Sequence, residues 1–230
     1  MHHGVIAAAT SPERLVAAMN RRTSELVPGP AHTRLDEMDL AARDDGWPMA
    51  FGERDGNAYV FDTSLVLSAE FDLITALAHD LGATVVGGGA ETTSGSFWLV
   101  AARPQKLIRA YWHCHTDMRE AWSRGEPLPS EARRPLDSGW DGDGVLSAMR
   151  ELGFDYEGWA RSGPFRELFY SAKTFPAKGP MAAELEAFHA RVLIPERARP
   201  KPTAVLRSDR GADVVPLKTK RKRWFGLFDG

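Results

Sequence analysis

Apolar residues in the first half of this chain switch repeatedly between a period of two and a period near 3.6. Short strands and short helices must therefore follow one another, which restricts the fold to a mixed α and β class. Val5–Ala9 reads as a buried strand, and Ser11-Pro12-Glu13 then supplies an N-cap hydroxyl, a proline suited to the first helical turn and an acid that complements the helix dipole. Leu15, Val16 and Met19 continue as the apolar stripe of a helix ending near Arg22. Val27-Pro28-Gly29-Pro30 reads as a loop, because two of its residues have no amide donor.

Trp47–Arg54 and Asn57–Asp62 flank Asp55-Gly56, a pair suited to the positive φ angles of a tight hairpin. Phe71, Ile74, Ala78 and Leu81 recur at helical spacing, with Ser68 as the expected cap and Gly82 as the left-handed stop. Thr84–Val86, Ser96–Ala102 and Lys106–His115 follow as strands, and Gly87-Gly88-Gly89 between them reads as a flexible bend. The resulting order predicts an α+β fold with a ferredoxin-like βαββαβ core, extra antiparallel strands and C-terminal helices.

Past His115 the expectation is a short helix over Thr116–Ser123, a loop over Glu126–Pro135, and a helix over Gly144–Leu152 capped by Asp143 and ended by Gly153. Met181, Leu185, Phe188 and Val192 form one more stripe after Pro180, and these helices would cover the sheet's open face. Residues 1–194 thus form a globular domain, 195–217 a proline-containing linker and 218–230 a tail.

Composition excludes some classes. Hydrophobic residues at 43% and charged ones at 26% suit a globular chain. The longest apolar runs fall far short of the roughly 20 residues of a membrane span, and Met1–Thr10 lacks the basic start of a signal peptide. Cys114 is the single cysteine, so no intrachain disulfide forms and a cytoplasmic location is expected. The net charge of −2 hides a division: Glu196–Gly230 carries ten Lys and Arg against four Asp and Glu, and the remainder 19 against 27.

That division points to the C-terminus. Lys218, Lys220, Arg221, Lys222 and Arg223 run directly into Trp224, Phe225 and Phe228, placing a cationic block beside an aromatic cluster. Such a segment is expected to dock on a protein partner; an anionic membrane surface or a single-stranded nucleic acid offers the same charge and stacking complementarity. A second candidate is the row Arg109, Tyr111, His113 and His115. Strand alternation puts these on one face, with Trp112 and Cys114 on the other, and the row is expected to be a half-exposed binding surface.

Two same-face histidines would bind zinc only with a further ligand such as His79, His189 or Asp117, and a metal-dependent hydrolase using His113 and His115 is the alternative reading. Ala76–Gly82, with His79-Asp80, resembles the His-Asp signature of the HD-domain metal phosphohydrolases over seven residues. That family is wholly helical and needs further ligands, whereas strands flank this segment. At about 100° per residue His79 also falls about 150° from the centre of its helix's apolar stripe, on the solvent side. Trp140–Gly144 resembles a calcium loop, but its twelfth position falls on Arg150 or Ala148. The expectation is a non-catalytic binding or adaptor protein without a cofactor or metal.

Overall fold

Asp55 and Gly56 take φ angles of 53° and 76°, so the two-residue hairpin forms where the sequence places it. The computed structural model describes residues 2–23, 26–41, 43–91, 93–115, 120–133, 142–171 and 179–192. All lie in one compact unit, Met1–Arg199. In chain order the elements are β1 (His2–Ala8), α1 (Pro12–Thr23), β2 (Leu26–His32), β3 (Gly46–Arg54), β4 (Asn57–Asp62), α2 (Phe71–Leu81), β5 (Val85–Glu91), β6 (Ser96–Arg103), β7 (Lys106–Cys114), β8 (Trp122–Gly125), α3 (Pro129–Arg133), α4 (Gly142–Glu151), α5 (Tyr156–Ser162), β9 (Phe165–Ser171) and α6 (Pro180–Val192).

The protein is therefore α+β, and its strands form one sheet in the order β2-β9-β3-β4-β1-β5-β6-β7-β8. Every neighbouring pair is antiparallel. Nine strands are more than the expected core and its additions contained. Helices lie on both faces. On one, Leu15 and Met19 of α1, Ile74 and Leu77 of α2 and Met181 of α6 pack with Ile6, Val60, Trp98 and Val100. On the other, Val145 and Met149 of α4 and Tyr156 and Trp159 of α5 pack with Val5, Tyr59, Leu99 and Tyr111.

Several local expectations need correction. The segment 27–30 is not a loop; it lies within β2, which tolerates Pro28 and Pro30 because it is an edge strand whose outer side needs no donors. Its pairing with β9 shifts register between Pro28 and Ala31. At the opposite edge, Trp122 and Ser123 belong to β8 rather than to a helix, while 116–119 lie outside the described residues. Ser68 does not cap α2. The residue before that helix is Glu70, and Ser68 instead gives its backbone N–H to Asp62. Gly82 does stop α2, at φ 64°. Helix α4 begins at Gly142, placing Asp143 inside its first turn, and α6 packs on the α2 face, leaving α4 and α5 to cover the second face.

The glycine triplet is the largest correction. Gly87, Gly88 and Gly89 form the middle of β5, buried and paired on both sides, rather than a bend. A methyl at Gly89 would sit 2.3 Å from Cζ2 of Trp98, and one at Gly87 would sit 2.6 Å from the Ser68 carbonyl oxygen. Here the absent side chains let an indole and a neighbouring turn lie against the backbone. Gly89→Ala is therefore expected to cost about 1–3 kcal/mol by overpacking, since Trp98 is fully buried and stacked on Trp112 with centroids 5.6 Å apart. Urea denaturation with an unchanged m-value would measure it.

Candidate functional site

The β7 row follows strand alternation. Tyr111 lies in the α4/α5 core, whereas Ala110 lies in the opposite one and Cys114 packs with Trp112 and Phe188 on the α6 side. Its exposure differs from the expectation. Arg109, Tyr111 and His113 are 3%, 0% and 6% exposed, and His115 is the row's exposed member. The half-exposed face is thus a covered one, because α4, near the expected helix, is joined over it by α3 and α5, two helices the sequence did not show.

Beneath that layer Arg109 is committed to structure. Its Nε and Nη2 donate to the two carboxylate oxygens of Glu131 at 2.8 and 2.6 Å, and its Nη1 donates to the carbonyls of Arg124 and Gly125 at 3.1 Å each. Glu131 also accepts from the backbone N–H of Leu128, so the ion pair binds α3 to β7 and the end of β8. Such bidentate geometry is what makes a buried arginine tolerable. Burial first, and the Glu131 charge second, push the Tyr111 hydroxyl well above the ordinary phenol range. This tyrosine stays protonated at every physiological pH.

At the end of the row the rings of His113 and His115 meet edge to face, with centroids 4.2 Å apart, and His115 also touches Phe97 at 5.4 Å. The remaining ligand candidates do not gather there. His79 is exposed and lies 3.7 Å from Asp80, whose carboxylate is held by Arg22 at 2.7 and 2.8 Å. The Arg22 hydrogen bond keeps Asp80 below the usual carboxylate range. His189 belongs to α6, which packs on the face opposite His113. Asp117 lies outside the described residues. Among the described residues no group of three or more His, Cys, Asp or Glu is placed to hold a metal ion. Lys220, Arg221, Lys222, Arg223, Trp224, Phe225 and Phe228 also lie outside them.

Two buried polar groupings were missed in the sequence. Asp62, at the end of β4 and fully buried, accepts from Ser64 N–H at 3.0 Å, from the Ser64 hydroxyl and from Ser68 N–H at 2.7 Å. Burial raises its carboxyl above the ordinary aspartate value, against the pull of those donors. The second centres on Glu91, which accepts from Thr93 N–H and Ser94 N–H at 2.8 Å each and from the Ser94 hydroxyl. Burial alone would raise Glu91, but the donors prevail and hold it below its ordinary range. Both are side chains bonding to backbone N–H groups ahead of them, two and six residues on for Asp62 and two and three for Glu91, and Asp62-Thr63-Ser64 is a local signature of such a turn. Their chemistry is that of loop anchors.

Compared with known protein families, with curated proteins and with solved structures, the chain matches none.

Proposed function

We propose that this protein is a non-catalytic cytoplasmic binding or adaptor protein whose basic and aromatic C-terminal segment docks on a protein partner. The observation that carries the reading is the juxtaposition of Lys218–Arg223 with Trp224, Phe225 and Phe228, a cationic block beside large apolar rings. The described body supports it indirectly. Among the described residues, helices occupy both sheet faces. Arg109, Tyr111 and His113 bear inward, which leaves the C-terminal segment as the stronger recognition element. We further infer that β3-β4-β1-β5 with α1 and α2 is a ferredoxin-like unit, enlarged by β9 and β2 on one side and β6, β7 and β8 on the other. The strand order and the shared face of the two helices support this.

The test compares the full chain with one ending at Leu217 and with the triple variant Trp224→Ala, Phe225→Ala, Phe228→Ala. Proteins cross-linked to each in native lysate are identified, and the affinity of the leading partner is then measured with purified components. Truncation and the triple variant should each weaken that affinity by tenfold or more, consistent with aromatic anchors of about 2 kcal/mol. The melting temperature should move by only about 1 °C. Equal partner affinity in all three chains would reject the reading, as would a large loss of thermal stability on truncation. Binding to phosphatidylserine vesicles or oligo-deoxythymidine in place of any protein would reassign the segment to a membrane or a nucleic acid.

A further inference from the structure

Helix α6 buries fewer of its residues than the helices beside it. α1 buries six of its twelve residues and α2 six of its eleven, whereas α6 buries two of thirteen, Met181 in its first turn and Val192 in its last. Between them Leu185 and Phe188 are only partly buried against the sheet side. Polar ties hold its first two turns. Gly179, the residue before the helix, has no side chain with which to cap it, and the cap comes instead from Asp72 of α2. Its carboxylate accepts from Met181 N–H at 3.3 Å and Ala182 N–H at 2.9 Å. Glu184 accepts from Trp122 Nε1 at 3.3 Å and pairs with Arg124 at 3.0 Å.

What lies beneath is an aromatic groove. Phe71 stacks on Trp122 at 5.3 Å and meets Trp112 edge-on at 6.4 Å, and Trp112 stacks in turn on Trp98. Cys114, the single cysteine, is 2% exposed and packs with Val192, Phe188 and Trp112. The sheet's ladder owes nothing to α6, because all nine strands pair without it. Local opening is governed by the burial of the part that opens, and this part has the fewest buried apolar residues of the three helices compared.

We propose that α6 is a strap that lifts as a unit from an intact sheet, exposing the groove of Trp112 and Trp122 together with the Cys114 thiol. The groove seats an amphipathic helix with apolar residues at the spacing of Met181, Leu185, Phe188 and Val192 and an acid facing Arg124, and α6 is its occupant within the chain. Opening requires breaking the Asp72 cap and the Glu184 contacts with Trp122 and Arg124 and withdrawing four apolar side chains, while α2 and the strands stay in place.

The lone thiol reports the motion. Full-length protein is exposed to a disulfide reagent such as dithionitrobenzoate across urea concentrations below the unfolding transition, and the labelling rate of Cys114 is followed. Labelling should be nearly independent of urea, as for a small local opening. Asp72→Ala and Phe188→Ala should each accelerate it roughly five- to tenfold, the former by loss of a helix cap. Ser96→Ala, on the strand opposite Cys114, should leave it unchanged. Should Phe188→Ala fold poorly, Glu184→Ala on the exposed side of α6 takes its place, with about a twofold acceleration. Labelling with the full urea dependence of global unfolding in every chain would overturn the proposal. So would acceleration by Ser96→Ala but not by the α6 variants, since access would then come through the β5–β6 hairpin.

Discussion

Glu131→Ala should destabilise the protein by about 3–5 kcal/mol, because it leaves the Arg109 guanidinium buried without its counter-charge. Both side chains are nearly inaccessible, 4% and 6% exposed, so solvent screening does not soften the loss. Arg109→Ala should cost a comparable amount by stranding the carboxylate. The double change of Arg109 to Met and Glu131 to Leu is expected to recover most of that stability, since well-packed apolar residues often match or exceed a buried ion pair. Urea titrations of the four chains measure these differences. A single-variant loss below about 1 kcal/mol would show that water reaches the pair in solution. The same measurement bears on function: with its hydrogen bonds taken up by Glu131 and two carbonyls, Arg109 is a structural residue rather than a reader of anionic ligands.

The second large effect is expected at Asp62. Asp62→Ala removes the acceptor of two backbone N–H groups and one hydroxyl in a fully buried site, and should cost about 2–4 kcal/mol. Asp62→Asn should cost less, keeping one acceptor oxygen while setting its amide against the Ser68 N–H. The pH dependence has a definite sign. Burial raises the folded carboxyl above its unfolded value, so the folded state holds that proton more tightly. The associated stability is fully present below the unfolded pKa of about 3.8 and is lost as pH rises through the folded value. Wild type should therefore lose ground to Asp62→Asn as the pH rises from about 4 toward neutrality, with a slope of at most about 1.4 kcal/mol per pH unit. A wild type that instead gains on Asp62→Asn over that range would show that the three donors outweigh desolvation.

Local signals in the chain were legible where the chemistry was local. The Ser11-Pro12-Glu13 helix start, the Asp55-Gly56 hairpin and the Gly82 stop each rest on the preferences of two or three adjacent residues, and each stands where it was expected, α1 beginning at Pro12. The alternation of β7 was legible for the same reason, since period two is a property of any strand. Burial of the row was not. Whether the Tyr111 face meets water depends on α3, α4 and α5, which begin 15 to 42 residues further along the chain than Cys114.

The same division explains the glycine triplet and the proline segment. Gly87–Gly89 carry no side-chain pattern, so their place in the middle of the sheet follows from strands on both sides and from Trp98 occupying the space the missing methyls leave. Pro28 and Pro30 bar a central strand but permit an edge, and only the arrival of β9, over 130 residues later, gives that edge something to pair with. By itself the sequence determined the mixed class, the early helices, the tight turn and the charge division that singles out the C-terminal segment, because adjacent residues carry those properties. Only the tertiary structure decided strand order, which helices make up the second layer and the pairing of Arg109 with Glu131, because these depend on which distant segments meet, and a linear pattern does not encode that directly.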